Sequence, residues 1–449
     1  MIITFDNGFK IIYTIIPNIK LVRVGILNKN GQLQENRKNL EISHFFEHLA
    51  GHFLSSKYPD GKANLKNLER LGAESNATTS DYFVNLWIEG KAEYWKNYLD
   101  YLLEVYLHFQ IDPTIFEQEK RAVINELQQL LNIPFRKHSE VVAKKTFTNF
   151  QSSAPLYDRI ENSLKLQPAD CIQFFNTFWI PEETALYISG DFELMKLIHF
   201  CKGKFKRHPK ITMETNYPII DIVARAAVTR AAIAQAEETI KVTYVKDEKV
   251  QNSRLTVIYD VPFGTFDDQK QSALMLVRRL LSAGFDSRLV KILRSQLGLV
   301  YSVDFDIDLC PETSELSTLK ISTDVESQNL TKVLKILIRT IKIICDTEIS
   351  ADEFEKVRNR VETDYLHRNL MCNLQFDVLD NAQRVLYGNT AKTSEQVLDD
   401  FLKVSKSQIM NVCKQIFTPE NMSIIYSGPT NLNRQIVDSL KFEILNRQN

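Results

Sequence analysis

Pro181-Glu182-Glu183-Thr184-Ala185-Leu186-Tyr187-Ile188-Ser189-Gly190 returns 238 positions later as Pro419-Glu420-Asn421-Met422-Ser423-Ile424-Ile425-Tyr426-Ser427-Gly428. Between the Pro-Glu and Ser-Gly pairs, both copies hold a short apolar run of the length of a buried strand. The same register relates Phe116-Glu117 to Phe354-Glu355 and Val123 to Val361. Three blocks in one register mark an internal duplication. The chain therefore reads as α+β, with two similar halves, each a mainly antiparallel sheet packed with helices. The expected boundaries are 1–211 for the first half, 212–250 for a linker and 251–449 for the second. Alanines between Asp221 and Glu238 give the linker high helix propensity, so it is predicted to be part helical.

Outward from that block, Ile2–Phe5 and Phe9–Ile16 flank Asp6-Asn7-Gly8, a hairpin signal. Leu21–Leu27 is a third strand. Lys62–Leu71 is a short helix stopped by Gly72, and Ala73–Ile88 holds further strand-like runs. Two long helices are predicted over Ala92–Gln110 and Pro113–Leu131, the second started by Asp112-Pro113.

Ahead of these lies Ile42-Ser43-His44-Phe45-Phe46-Glu47-His48-Leu49, which reads His-x-x-Glu-His. On a helix, His44 and His48 share a face one turn apart, so both imidazoles can reach one zinc ion. Glu47 adjoins that face, where a base toward a zinc-activated water belongs. Ile42, Phe45, Phe46 and Leu49 would bury the remainder. A core helix with hydrogen-bonded histidines shares the pattern, so the surroundings must decide. A catalytic zinc needs a third protein ligand. Glu119 and Glu126, two turns apart on the helix from Pro113, supply acidic candidates. One could bind metal while the other braces a histidine, or both could belong to a solvated stripe pairing with Lys120 and Arg121.

The second copy lacks this chemistry. Matching Leu71-Gly72 to Leu297-Gly298 carries His44 to Lys270, Glu47 to Ala273 and His48 to Leu274.

Composition narrows the class. Over 449 residues, 44% are hydrophobic and 25% charged, ordinary for a soluble globular chain able to bury large cores. A net charge of -1 speaks against nucleic acid or an anionic membrane surface as partner. The 6 cysteines have no paired spacing, so buried free thiols and a reducing compartment are expected. No basic region precedes the apolar start and Asp6 interrupts it, unlike a secretory signal. No apolar run reaches the length of a membrane span. A cytoplasmic location follows as the expectation.

The ordered set His44-Phe-Phe-Glu47-His48, Gly72-Ala-Glu-Ser-Asn76-Ala77-Thr78-Thr79-Ser80, Glu119-Lys120 with Glu126, and Gly284-Phe-Asp-Ser-Arg288-Leu289 followed by Arg294-Ser-Gln-Leu-Gly298-Leu-Val-Tyr301 resembles the pitrilysin/insulinase family of zinc metallopeptidases, which includes the mitochondrial processing peptidases. The resemblance covers nearly the whole chain. It implies zinc held by His44, His48 and Glu126, Glu47 as general base, and Glu119 as an acid bracing the site from behind. It makes Arg294 and Tyr301 donors to the substrate near the scissile bond, and Asn76 with Ala77 an edge that binds peptide backbone by strand addition. It further implies an endopeptidase for short or unfolded peptides. Four half-domains form a closed chamber in the family, so this chain's two imply a homodimer or a heterodimer with a related chain. Two alternatives remain: a non-catalytic scaffold subunit, and a protease dedicated to maturing one peptide. The sequence departs from the family in two places. The spacing from His48 to Glu126 is one residue longer than usual, and Ala50-Gly51-His52-Phe53 is atypical. His52, four residues after His48, is a possible substitute ligand, preferred as a bracing or structural residue.

Overall fold

Asn7-Gly8 turns the chain between β1 (Ile2–Thr4) and β2 (Lys10–Ile15), with Gly8 at φ 88°, a region glycine enters freely. The computed structural model describes residues 1–146, 150–205, 241–248, 250–311, 317–370, 376–437 and 440. The hairpin opens a six-stranded sheet completed by β3 (Leu21–Asn28), β4 (Glu74–Thr79), β5 (Val84–Lys91) and β6 (Thr184–Gly190). Their order is β1-β2-β6-β3-β5-β4, and only β2 and β6 run parallel.

A second sheet repeats the plan. Its strands are β7 (Lys241–Lys246), β8 (Asn252–Asp260), β9 (Asp304–Asp308), β10 (Thr318–Glu326) and β11 (Met422–Gly428). They run β7-β11-β8-β10-β9, parallel only between β7 and β11, which is the first sheet without β1. The duplicated blocks are β6 and β11. Each lies between two strands and is covered on both faces, which is why its apolar run is nearly continuous.

Helices α1 (Ile42–Ala50), α2 (Gly61–Arg70), α3 (Trp95–His108), α4 (Pro113–Leu130), α5 (Arg136–Thr146), α6 (Phe150–Ser153), α7 (Leu156–Lys165), α8 (Pro168–Phe178) and α9 (Leu194–Phe205) accompany the first sheet in sequence. Asp112 caps α4 by accepting from the Thr114 and Ile115 amides, with Pro113 in the first turn. The second sheet's sequence brings α10 (Asp268–Ser282), α11 (Leu330–Asp346), α12 (Ala351–Leu370), α13 (Phe376–Leu386), α14 (Ser394–Leu402) and α15 (Lys406–Ile416).

The chain divides into two compact units. One is Met1–Leu131, Phe150–Ile220 and Arg368–Thr393; the other is Asn132–Asn149, Asp221–His367 and Ser394–Asn449. Where the sequence suggests the contiguous halves 1–211 and 251–449, the units trade one segment each. On the first sheet, Ile12, Leu27 and Tyr187 pack under Val378, Ala382 and Val385 of α13. On the second, Val245, Ile258 and Ile425 pack under Val141 and Val142 of α5. Each traded helix follows the register of its own half in sequence, so periodicity could not reveal the exchange. Of the expected linker, residues 212–240 lie outside the described residues, while Lys241–Lys246 is strand β7.

The opposite face of the first sheet carries the main core of its unit, with Val24, Ile26, Phe46, Tyr98 and Leu102 buried. Within it α1 packs against α4, α8 and β4. The Phe46 ring lies 4.5 Å from Trp179, 4.9 Å from Phe109 and 5.4 Å from Phe175, centroid to centroid. Phe45 meets Phe116 of α4 at 5.9 Å. Burying each such ring stabilises by roughly 1.5–3 kcal/mol, enough to hold α1 fixed on one side while His44 and His48 occupy the other. In the second unit, α10 buries Ala273 and Leu274, the residues matched to Glu47 and His48.

Candidate metal centre

The approach to α1 begins at Gly31, where a Cβ atom would lie 2.2 Å from the Ser80 carbonyl. The bare glycine lets the chain close on the β4–β5 turn, with Gln32 and Leu33 donating their amides to Ser80 and Asp81 at 3.0 Å each. That seats Glu35 in the interior. Its carboxylate accepts the amides of Glu41 (2.9 Å) and Ser43 (3.1 Å) and the Ser43 hydroxyl, capping α1 from six and eight residues upstream. Burial, then the neighbouring Glu41 charge, push the Glu35 carboxyl up to about 7 against the pull of Arg159.

Glu41 precedes the helix in the left-handed region, φ 74°. A side chain there costs roughly 1–2 kcal/mol. It is buried, and its Oε2 lies 2.9 Å from His44 Nδ1 while Oε1 accepts from Arg159 of α7. An ionised carboxylate only accepts, so in its neutral form His44 carries the proton on Nδ1 and leaves Nε2 a bare lone pair. The same logic governs His48. Its Nδ1 lies 3.1 Å from Glu119 Oε2 of α4.

The two freed nitrogens converge on one acid. Glu126 Oε2 lies 3.6 Å from His44 Nε2 and 3.7 Å from His48 Nε2. One ligand atom from each of the three residues lies within 4.8 Å of the others. Tetrahedral zinc, bonded at about 2.0–2.2 Å, wants donors roughly 3.4 Å apart. Two neutral imidazoles and a carboxylate so spaced fit a zinc ion.

The local field also suits a cation. Burial works against a charge on His44, but the hydrogen bond that His44 donates to Glu41 and the charges of Glu41, Glu47 and Glu126 outweigh it, raising the imidazole pKa. Glu47 stands half-buried on α1 between the two histidines in sequence. His52 Nε2 lies 3.6 Å from Glu119 Oε1, on the far side of that carboxylate from His48. It is not part of the converging set among the described residues.

Asn76 and Ala77 lie on β4, the edge strand of the first sheet. Asn76 is exposed and accepts the Ala77 amide on its own Oδ1, while Ala77 packs against the core. Thr79 ties the strand to α1 by donating to the Ser43 carbonyl at 3.4 Å.

In the second unit, Arg294 lies in a π-helical turn, Lys291–Gln296, and Gly298 follows at φ 59°. Its guanidinium stands 4.7 Å from the Tyr301 ring and 5.1 Å from the Phe285 ring. Tyr301 is 80% exposed and Phe285 71% exposed. Arg288 holds the preceding turn by a paired contact with Glu353 of α12, 2.8 and 2.9 Å.

Sequence reading missed Glu35, Glu41 and Arg159. Glu41 sits three residues before His44, a helical spacing that pointed to it. Its left-handed backbone and the distant Arg159 had no local signal.

Residues 10–159, which contain every residue of the converging set, match the family model described as Insulinase (Peptidase family M16). Residues 165–361 match the model described as Peptidase M16 inactive domain. The uncharacterized zinc protease YmxG of Bacillus subtilis is 20% identical over 437 residues, covering 96% of this chain and 98% of that protein. The mitochondrial-processing peptidase subunit beta of Saccharomyces cerevisiae is 22% identical over 204 residues, 45% of this chain and 44% of that protein. A protease from Helicobacter pylori of known structure shares the fold, with TM-score 0.78, 18% identity and coverage of 96% of this chain and 99% of that one. With both models matched in order along the chain, it belongs to the insulinase family of peptidases, M16.

Proposed function

We propose that this chain is a zinc-dependent endopeptidase that hydrolyses short or unfolded peptides. The observation that carries the reading is the convergence of His44 Nε2, His48 Nε2 and Glu126 while both Nδ1 atoms are turned toward buried or half-buried carboxylates. When bound, zinc supplies Lewis-acid polarisation of a scissile carbonyl and acidifies water. The protein's residues do the remainder. His44, His48 and Glu126 hold the ion, and Glu119 braces His48. Glu47 accepts a proton from the attacking water and returns it to the leaving amine. Asn76 and Ala77 offer the edge of β4 to an extended peptide. Arg294 and Tyr301 donate to the carbonyl oxygen and to the oxyanion that replaces it. Their exposure supports a role outside the core.

A dimer, with itself or with a related chain, belongs to the same proposal, as does a reducing, cytoplasmic setting. The latter is supported by the five described cysteines, all buried thiols; Cys372 lies outside the described residues. The test is metal content together with cleavage of a mixed peptide library, with and without a chelator. Zinc at one per chain and chelator-sensitive cleavage are expected. A metal-replete protein that cleaves nothing, alone or with a related chain, would sink the enzyme reading and favour a scaffold.

A further inference from the structure

We propose that Glu41, clamped by Arg159, is a positioning residue that fixes the tautomer and aim of His44 toward a metal ion. The inference rests on the zinc reading of His44, His48 and Glu126.

Glutamate at this position is not explained by the fold. The backbone is left-handed, where glycine is the easy choice, and the residue is buried. Capping of α1 does not explain it either, because Glu35 already takes the Glu41 and Ser43 amides. What Glu41 contributes is a carboxylate with two fixed partners, His44 Nδ1 on one oxygen and the Arg159 guanidinium on the other. Arg159 is itself immobilised, donating to the Gln151 carbonyl at 2.5 Å and the Ala154 carbonyl at 3.4 Å. The chain of contacts therefore runs from one carbonyl of α6 and one of the loop after it through a cation and an anion to the ring that would face the metal.

The other histidine is held differently. Glu119 reaches His48 from α4, and its side chain is 19% exposed against 3% for Glu41. His44 is thus the histidine aimed before any ion arrives, by a brace on its own stretch of chain. Without the brace, the ring can flip, which turns Nε2 away from the other ligands, or move its proton to Nε2, which removes the lone pair there. Partners of this kind are worth about 10- to 100-fold in metal affinity.

Two variants test this. Glu41→Gln keeps the volume but sets an amide beside Arg159. Glu41→Gly suits the left-handed backbone, and Arg159 retains its two carbonyls and the nearby Glu35, so this variant is expected to fold. Nitrogen NMR of the metal-free protein, above the imidazole pKa, reads the His44 tautomer directly. Zinc affinity is read by competition with a chromophoric chelator. We expect the wild type to show His44 protonated on Nδ1, both variants to show mixed tautomers, and zinc to bind them about 10- to 100-fold more weakly. The Gly variant should melt below the wild type, because Arg159 loses its buried ion-pair partner, while still unfolding in one cooperative step above the assay temperature. Wild-type tautomer and wild-type zinc affinity in the variants overturn the positioning role alone. A wild type that takes up no zinc overturns the metal reading, and with it the purpose given to Glu41, whatever the tautomer.

Discussion

His48 Nδ1 lies 3.1 Å from Glu119 Oε2, a contact that joins α1 to α4 and leaves Nε2 of the ring for Glu126, two turns further along α4. One helix thus supplies both the back and the front of the same imidazole. Glu119→Gln should keep zinc at saturation and weaken it about 10- to 100-fold. His48→Ala and Glu126→Gln should lose it. Metal analysis after gel filtration separates these cases, and full zinc retention in the last two would remove them from the ligand set.

Glu47→Gln is expected to hold zinc as the wild type does, because the carboxylate is assigned to proton transfer and not to the metal. Peptide cleavage should fall by about 100- to 10,000-fold, the range for a general base. Near-normal single-turnover cleavage would assign the proton to another group.

Tyr301→Phe removes a hydroxyl from a side chain that is 80% exposed, so the melting curve should barely move. Loss of an oxyanion donor lowers turnover by roughly 100- to 1,000-fold. Arg294→Ala should weaken peptide binding as well, and it removes the cation between the Phe285 and Tyr301 rings. Wild-type turnover in Tyr301→Phe would leave the second unit without a part in the chemistry.

His138 of α5 gives a pH dependence unrelated to the metal centre. Burial, and secondarily Arg254, push its pKa down to about 4, and Nε2 lies 2.8 Å from the Thr256 hydroxyl. The unfolded chain takes up a proton near pH 6.5 that the folded chain refuses until about pH 4. Stability is therefore fully present above 6.5 and falls as pH drops through that window, by roughly 3 kcal/mol in all. His138→Gln should flatten this part of the curve in denaturant titrations. An unchanged acid slope would mean that other groups govern it.

Sedimentation at micromolar concentration should give about 100 kDa, twice the 51.9 kDa chain, if the protein pairs with itself. A monomer at all concentrations would leave pairing with a related chain to be sought by co-purification.

The duplicated block was legible because β6 and β11 are strands covered on both faces, so their apolar runs kept the same length and punctuation. The histidine pair was legible for a similar reason, since helical spacing alone aligns residues four apart. Glu119 and Glu126 could be found on their helix, but spacing did not assign their roles; those depend on which imidazole nitrogen each faces. The exchange of α5 and α13 was invisible. Both helices are amphipathic in the ordinary way, and nothing local says which sheet an apolar stripe will meet.

That exchange has a consequence for synthesis on the ribosome. All six strands of the first sheet have been synthesised once Gly190 is made, but the cover for Ile12, Leu27, Ala185 and Tyr187 waits for Phe376–Leu386. Translation at about 5–20 residues per second spans that gap in roughly 10–40 s. For that interval the nascent chain carries an uncovered apolar sheet face, a natural substrate for a chaperone. A fragment ending at the first half would carry the same face permanently, so its aggregation would report the missing helix and not a failure of the metal centre.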